Sequence, residues 1–223
     1  MASDDQIQRA AVYAALGDPH RLAIVDDLAA SDRTSRELSD RHAIPGNLLA
    51  HHLHVLEEAG VISRNVSAGD RRRRYVRLTA DPSIASIIGP VRTDQPVLFL
   101  CSHNSARSQL AAVMWSSRTG GVATSAGTRP SAEVHHRAIT AARRAGLCLD
   151  GAVPTKIDQL PTNTQVITVC DNAHEELTPG HEWWHWSIPD PVLADTDDAF
   201  DAVVTELRHR ISQLHPALQG GDE

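Results

Sequence analysis

The chain has 223 residues, of which 41% are hydrophobic and 22% are charged, and its formal net charge at pH 7 is −7. This ordinary composition excludes a fibrous or wholly disordered chain, and a typical domain size of roughly 100–200 residues allows one large domain or two small ones. The net negative charge excludes a general binder of polyanions.

The lack of a recognisable secretory signal or membrane span, together with the cysteine usage, favours a cytoplasmic protein. Every apolar run is far shorter than the roughly 18 residues that span a membrane, and the polar start MASDDQIQRA does not resemble a secretory signal. The three cysteines, Cys101, Cys148 and Cys170, are an odd number and do not suggest a disulfide scaffold. We therefore expect a reducing compartment in which the thiols stay available for chemistry.

Charge and composition divide the chain into two predicted domains, residues 1–92 and 93–223. The first carries 12 arginines against 12 acidic residues, and the second carries 8 arginines and one lysine against 16 acidic residues. Between them lies TADPSIASIIGPVRTDQP, which is rich in proline and precedes a sharply apolar run. Six arginines lie between Arg64 and Arg77, a basic patch that fits either DNA binding or a solvated hairpin.

In the first domain, helix signals precede two strand signals. Helices are predicted at residues 6–16, from Asp18-Pro19, from Thr34 and at residues 46–58. Glu37 lies three residues after Thr34, the spacing of a capping box. The segments VISRNV and RRYVRL then alternate like two strands joined by a turn. This order of elements is typical of a winged helix-turn-helix domain.

Residues 7–90 resemble the ArsR/SmtB-type winged-helix repressors, through ALGDPHRLAIVDDL, LLAHHLHVLEEAGVISR and RRRRYVRLT. The resemblance implies a homodimer that places helix 46–58 in successive major grooves of an operator. Near the start of that helix Asn47 can read adenine, and Ala50 and His51 share its exposed face one turn later. Basic residues expected to neutralise DNA phosphates are Arg71, Arg72, Arg73 and Arg74.

Histidines and cysteines limit what this first domain can sense. His51, His52 and His54, each taken alone, fit surface or interface histidines better than base-reading ones, and the spacing of adjacent His51 and His52 is poor for a metal. We predict no metal site. The family often senses soft metalloids through cysteines, but no cysteine precedes Cys101, so arsenite sensing by residues 1–90 is not expected.

The second domain opens with chemistry-bearing residues between a strand and a helix. The apolar run Val97–Leu100 predicts a buried parallel strand, and a helix is expected from about Ser108. The loop between them, with Cys-x5-Arg-Ser spacing, consists of Cys101, Ser102, His103, Asn104, Ser105, Ala106, Arg107 and Ser108. A tight loop of this kind turns backbone N–H groups inward to form an oxyanion-binding nest.

Arg107 would close this nest with a bidentate guanidinium group. The same positive field is expected to lower the pKa of the Cys101 thiol and make it a nucleophile. Ser108 can donate a hydrogen bond to the thiolate. The alternative interpretation is a buried core cysteine beside a surface arginine.

Four segments of the second domain, CSHNSARSQLAA, SAGTRP at 125–130, VITVC at 166–170 and IPDP at 188–191, resemble the low-molecular-weight tyrosine phosphatase fold in its arsenate reductase branch. The resemblance covers about residues 95–215. It implies an α/β domain with a four-stranded parallel sheet and a site at the carboxyl ends of the strands. The expected strands are 96–101, 121–125, 165–170 and a short one near 184–187.

The same resemblance assigns two further catalytic residues. Asp190, before Pro191, matches the acid loop whose carboxylic acid protonates a leaving oxygen, although an ordinary Asp-Pro turn is the alternative. Cys170 matches the resolving cysteine of the thioredoxin-coupled branch, whose further cysteine has no counterpart here. Either a Cys101–Cys170 disulfide forms, or a small thiol attacks the adduct directly. Cys148 is expected to be buried at a helix end.

The two resemblances together imply a bifunctional protein, a DNA-binding repressor fused to an arsenate reductase. No tightly bound cofactor is expected, and the external reductant would be thioredoxin, or mycothiol with a mycoredoxin. The expected partners are operator DNA and arsenate or phosphate. Val192 and Leu193 stand where phosphatases of this fold usually carry tyrosines, which favours a small oxyanion. Two alternatives remain, an oxyanion-sensing repressor with an inactive second domain and a tyrosine phosphatase fused to a DNA-binding domain.

Overall fold

The structure is a computed structural model that describes residues 3–80, 84, 91, 93–177, 180 and 182–214. Its contacts divide the chain into two compact units, Met1–Ser67 with Arg71–Pro90, and Ala68–Asp70 with Val91–Glu223. The residues around the predicted boundary at 92–93 are only partly described, since 85–90 and 92 lie outside the described set.

The described part of the first unit consists of helices and a three-stranded sheet. Its helices are α1 (Asp4–Leu16), α2 (Pro19–Ala30), α3 (Ser35–His42) and α4 (Gly46–Glu58). Its strands are β1 (Arg33–Thr34), β2 (Ile62–Val66) and β3 (Arg74–Leu78), which form an antiparallel sheet in the order β1-β3-β2. The predicted winged helix-turn-helix order is confirmed. The sequence analysis missed β1, because a two-residue strand has no periodicity and exists only through its pairing with β3.

Local capping explains where two of these helices begin. The Asp18 carboxylate accepts hydrogen bonds from the backbone N–H groups of His20 at 2.9 Å and Arg21 at 3.0 Å, and Pro19 occupies the first turn of α2. At α3 the predicted capping box is present, with the Glu37 N–H donating to Thr34 Oγ1 at 3.2 Å and the Thr34 N–H donating to Glu37 Oε2 at 2.7 Å. These caps fix the positions at which the helix-turn-helix segments start.

The second unit is an α/β layer structure. Its strands are β4 (Val97–Cys101), β5 (Ala123–Gly127), β6 (Gln165–Thr168) and β7 (Trp184–His185). Its helices are α5 (Arg107–Thr119), α6 (His136–Arg144), α7 (Asp171–Leu177), α8 (Pro191–Ala194) and α9 (Asp197–Leu214). All strand pairs are parallel, in the order β5-β4-β6-β7. The predicted four-stranded parallel sheet is confirmed.

The central strand β4 is buried at every residue. The Phe99 ring packs edge-on against Trp115 of α5, with ring centroids 5.9 Å apart, and lies 5.7 Å from Trp186. Helices α5 and α9 contribute further buried apolar residues, among them Leu110, Met114, Phe200, Leu207 and Ile211. This apolar core holds the carboxyl ends of β4 and β6 in place, and both candidate thiols of the site lie there.

Strand ends and the exposure of one cysteine differ from the predictions: β6 and β7 each end two residues earlier, at Thr168 and His185. Strand β5 runs two residues further than predicted, to Gly127, because it pairs in register with β4 up to Cys101. Cys148 is exposed rather than buried. The chain leaves α6 at Arg144, Gly146 adopts φ of +73°, and Leu149 takes the buried position instead. In the described part of the chain, no helix is long and apolar enough to cross a membrane.

Candidate functional site

The loop between β4 and α5 is anchored through its carbonyl groups. Ser102 O accepts from the Arg129 N–H at 2.8 Å, His103 O from Ser131 at 2.9 Å, and Ser105 O from His135 at 2.8 Å. With these carbonyls bound to the following segment, and with no side chain capping the start of α5, the loop N–H groups other than that of Asn104, which donates to Cys101 Sγ, can bind an anion.

Cys101 lies at the base of this loop and is 2% exposed. Its Sγ is 3.0 Å from Ser108 Oγ, and the Asn104 N–H donates to the sulfur at 3.1 Å. The predicted Cys101–Ser108 pair is therefore brought into hydrogen-bond contact. Both donors point at the sulfur that would carry the negative charge of a thiolate.

The electrostatics of Cys101 differ from the expectation. Burial raises the pKa of the Cys101 thiol, and Cys170 raises it further, while Arg107 and Ser108 lower it without reversing the shift. The predicted lowering of the pKa is therefore wrong. The physical reasons are the loss of solvent around the sulfur and the nearby Cys170 thiol, which together outweigh the positive charge of Arg107.

The raised pKa has a measurable consequence. Alkylation of Cys101 by iodoacetamide, followed by mass spectrometry in a Cys148→Ser protein, is expected to accelerate about tenfold per pH unit across neutral pH. The midpoint should lie above the ordinary thiol value of about 8.5. A midpoint below that value would contradict the desolvation argument.

Arg107 and Asp190 meet at the mouth of the loop. The guanidinium donates to Ile188 O at 2.9 Å and to Asp190 Oδ2 at 2.7 Å. The other carboxylate oxygen, Asp190 Oδ1, accepts from the Val192 N–H at 3.1 Å and caps α8. The structure thus brings the predicted acid residue to the predicted oxyanion-binding arginine, and an oxyanion bound by Arg107 would lie beside the Asp190 carboxyl group.

Asn104 connects the loop to the rest of the unit. It adopts a left-handed backbone with φ of 47°, and its Nδ2 donates to Ser108 Oγ at 2.8 Å and to Ser125 Oγ at 2.9 Å. Its Oδ1 accepts from the Thr155 N–H at 2.8 Å and from Gln109 Nε2 at 3.1 Å. These contacts make Asn104 the residue that holds the loop shape.

The sequence analysis missed the supporting residues Ser125, Gly127, Thr155 and Gln109. At Gly127 a Cβ would lie only 2.7 Å from Ser102 O, so glycine is required where β5 passes the loop. Ser125 and Gly127 belong to the SAGTRP segment, which was an available signal. Thr155 acts through its backbone and carried no such signal.

Cys170 lies beside the same loop and is fully buried. Its Sγ is 3.4 Å from Ser102 Oγ and accepts from the Ala173 N–H at 3.4 Å. Of the other predicted loop residues, His103 is exposed, whereas Ser105 and Ala106 are buried. All predicted residues of the second unit's site therefore lie in or around one loop, with both thiols at its base.

The predicted DNA-binding residues lie on two exposed segments of the first unit. Asn47, Ala50 and His51 are exposed on α4, while Leu49, Leu53 and Leu56 of the same helix are buried. The four arginines from Arg71 to Arg74 are exposed at the turn into β3. Three of them, Arg72, Arg73 and Arg74, line a groove at the start of α3 together with Thr34, Ser35, Arg36 and Glu37. Arg36 is thus a basic residue of this face that the sequence analysis missed.

His52 does not belong to that exposed face. It is 4% exposed, its Nδ1 lies 3.8 Å from Asp18 Oδ1, and its ring centroid lies 5.5 Å from that of His20. Its burial separates it from exposed His51 and His54 and gives it a packing position between α4 and the start of α2. Among the described residues, no group of three or more His, Cys, Asp or Glu side chains is arranged to hold a metal ion.

Comparisons with known proteins match both units. Residues 96–222 match the family model of low molecular weight phosphotyrosine protein phosphatases, and residues 16–64 match that of a helix-turn-helix domain. No curated protein matches the chain.

Solved structures of two kinds are similar to the chain. One is an arsenate reductase from Archaeoglobus fulgidus, with 24% identity over 53% of this chain and 97% of that chain and a TM-score of 0.44. A tyrosine phosphatase from Erwinia amylovora has 20% identity over 56% and 93% of the two chains and a TM-score of 0.48. An arsenate reductase in a phosphate-binding state has 25% identity over 56% and 99% and a TM-score of 0.48.

Proposed function

The chain belongs to the low molecular weight phosphotyrosine protein phosphatase family over residues 96–222 and carries a helix-turn-helix domain over residues 16–64, and from this premise we propose that it is a DNA-binding repressor fused to a thiol-dependent arsenate reductase. One observation carries the proposal: two buried thiols, Cys101 and Cys170, lie at the same loop. Ser102 follows Cys101 in the chain, and its hydroxyl oxygen lies 3.4 Å from Cys170 Sγ. Ester hydrolysis needs one nucleophilic thiol, whereas reduction needs a second thiol to supply electrons.

The proposed reaction begins with arsenate in the loop. Backbone N–H groups and the Arg107 guanidinium bind its oxygens, and the Cys101 thiolate attacks arsenic. A hydroxide leaves as water with a proton from the Asp190 carboxylic acid. Attack by a second thiol on the Cys101 sulfur then breaks the sulfur–arsenic bond, and its electron pair reduces As(V) to As(III). Thioredoxin, or mycothiol with a mycoredoxin, restores the thiols, a cycle suited to a reducing cytoplasm.

The surroundings of Asp190 favour a small inorganic substrate. Val192 and Leu193 follow it and are 39% and 86% exposed. Neither offers the aromatic face that would hold a phosphotyrosine ring. Both tyrosines of the chain, Tyr13 and Tyr75, belong to the first unit.

Two other functions each have one observation in their favour. The family match itself favours tyrosine phosphatase activity. The raised pKa of Cys101 favours a non-enzymatic sensor, because it reduces the fraction of nucleophilic thiolate.

Arsenate-dependent NADPH consumption by the full chain tests the proposal, with thioredoxin and mycothiol–mycoredoxin systems supplied in separate reactions. Turnover with either system is the expected result. If neither system supports turnover, the proposed reductase activity is rejected. Hydrolysis of p-nitrophenyl phosphate without arsenate turnover would favour the phosphatase. A gel-shift affinity that responds to arsenate or phosphate, with neither activity present, would favour the sensor.

For the first unit we propose a homodimer that binds operator DNA through α4 and the arginine-rich turn before β3. The slope of log affinity against log salt concentration is negative, and Arg71→Ala is expected to make it less steep by about 0.9, because one phosphate contact is lost. Asn47→Ala should instead cost about 1–3 kcal/mol of sequence discrimination. Fluorescence anisotropy across salt concentrations measures both, with Arg9→Ala on α1 as the charge-matched control. An unchanged slope in Arg71→Ala would remove the turn from the interface.

A further inference from the structure

Cys170 lies at the corner where β6 ends and α7 begins. Its Sγ makes long contacts, at 3.4 Å to Ser102 Oγ and 3.4 Å to the Ala173 N–H. The position of this sulfur therefore depends on how the backbone on either side of Cys170 is held. The two residues that flank the corner, Thr168 and Asp171, are both polar and both buried.

One imidazole joins these two residues. His185 is fully buried, with Nε2 3.0 Å from Asp171 Oδ1 and Nδ1 2.9 Å from Thr168 Oγ1. Burial by itself would raise the pKa of the Asp171 carboxyl, but hydrogen bonds, with that from His185 foremost, hold this pKa below its ordinary value. An ionised carboxylate only accepts hydrogen bonds, so His185 Nε2 carries a proton and donates a hydrogen bond to Asp171.

A second histidine closes the corner from the side of α7. His174 Nδ1 lies 2.8 Å from Thr168 Oγ1, and the His174 ring stacks on His185 with centroids 4.1 Å apart. The Trp186 N–H, next to His185 in the chain, donates to Thr168 O at 2.8 Å. His185 thus spans the end of β6 and the start of α7, whereas His174 contacts the strand end from within α7.

We propose that His185 is a positioning residue for the second thiol: its imidazole joins the residues on either side of Cys170 and holds that thiol for attack on Cys101. The inference rests on the proposed reductase function for its physiological step. In that step Cys170 sulfur forms the disulfide bond with Cys101 Sγ and loses its proton to solvent. The bond between Cys101 and arsenic breaks, and its electron pair stays on arsenic, which becomes As(III).

Oxidation by peroxide isolates this step from arsenate chemistry. The full chain, with Cys148→Ser to remove the exposed thiol, is oxidised by hydrogen peroxide in the presence of dimedone. Peroxide converts Cys101 to a sulfenic acid and is reduced to water. Cys170 then forms the disulfide with release of a second water, or dimedone traps the sulfenic acid. Mass spectrometry gives the ratio of disulfide to trapped Cys101, and a Cys170→Ser background gives the trapping rate alone.

His185→Phe keeps a ring in the core but removes both nitrogens, and we expect this ratio to fall about tenfold, the scale of one lost hydrogen bond to a charged group. His185→Gln keeps an N–H donor and should restore the ratio to within about threefold of the parent. His174→Phe is the matched control, because His174 is 4% exposed in the same core and its replacement leaves the bridge through His185 in place. An unchanged ratio in His185→Phe, or an equal loss in His174→Phe, would overturn the proposal.

Thr168 provides a milder test of the same bridge, which also serves if His185→Phe does not fold. Thr168→Val replaces the hydroxyl with a methyl group and should lower the ratio about fivefold, the scale of one neutral hydrogen bond. Thr168→Ser keeps the hydroxyl and should match the parent. Circular dichroism verifies that each variant is folded. Equal ratios in the valine and serine variants would overturn the proposal.

A second arm separates this inference from the reductase proposal. The same proteins are mixed with arsenate in a single turnover without external reductant, and arsenite and disulfide are counted. A ratio that depends on His185 with peroxide, but no arsenite from any variant, would reject the reductase and leave the role of His185 standing. Arsenite and disulfide formed at equal rates with and without the imidazole would reject its role and leave the reductase standing.

Discussion

Cys101→Ser is expected to abolish arsenate turnover, by at least about a thousandfold in kcat/KM, because removal of a nucleophile costs on that scale or more. The replacement keeps the small size of a side chain that is 2% exposed, so packing is preserved while the attacking sulfur is lost. A serine hydroxyl is far less acidic than a thiol, and in this loop it has no base hydrogen-bonded to it to activate it. Coupled NADPH oxidation measures the loss.

The other two cysteines make this experiment discriminating. Cys148 is exposed and outside the site, so Cys148→Ser is the matched control and should retain full activity. Cys170→Ser should stop thioredoxin-coupled turnover after the first thiolate–arsenic adduct. If Cys170→Ser still turns over with mycothiol and mycoredoxin, a small thiol attacks the adduct directly. If Cys170→Ser loses turnover with both reductant systems, the resolving role belongs to Cys170. Wild-type turnover in Cys101→Ser would refute the mechanism.

Arg107→Lys is expected to lower kcat/KM for arsenate by about 10²–10³-fold, although it keeps the positive charge. Arg107 uses two nitrogens in two directions, to Ile188 O at 2.9 Å and to Asp190 Oδ2 at 2.7 Å. A lysine ammonium cannot reproduce this planar, bidentate geometry, and because water hydrates it more strongly than a guanidinium, its burial costs more free energy. Oxyanion binding and the alignment of Asp190 should therefore both weaken.

Inhibition by inorganic phosphate separates these two effects. Weaker phosphate inhibition in Arg107→Lys reports lost oxyanion binding. Asp190→Asn is the companion variant, and it should lower kcat more than it changes phosphate inhibition, because an amide cannot supply the proton. Arg129→Lys, at an exposed arginine that pairs with Glu176 at 3.4 Å, controls for a surface arginine-to-lysine change. Equal activity of Arg107→Lys and this control would exclude Arg107 from the site.

Much of the fold could be predicted because its signals are local. The Thr34–Glu37 capping box marks the start of α3, and the apolar run Val97–Leu100 marks the buried strand β4. A helix start depends on side chains three residues apart, and a buried strand on a few consecutive apolar residues. The end of β5 could not be placed in this way, because it depends on pairing with β4.

The residues of the candidate site also fall into those predicted from local sequence and those that depend on tertiary contacts. The residues from Cys101 to Ser108 could be proposed together because a strand–loop–helix segment of this spacing needs no distant partner to form a nest. The SAGTRP segment marked Ser125, but neither its contact with Asn104 nor that of Thr155 could be predicted, since both form only after β5 and the segment following α6 have packed around the loop. Their contribution is a contact across the fold, which no local spacing encodes.

The sequence by itself determined the order of a helix-turn-helix unit and an α/β unit, the confinement of all three cysteines to the second, and the Cys-x5-Arg-Ser loop. Only the tertiary structure decided that Cys148 is exposed, that Cys170 lies behind the loop against Ser102, and that burial raises the pKa of Cys101. The physical reason is the distance along the chain over which each kind of interaction acts. Caps and apolar periodicity act over a few residues of chain, whereas burial and charge act through space, between groups whose distance is set only when the sheet and its helices have packed.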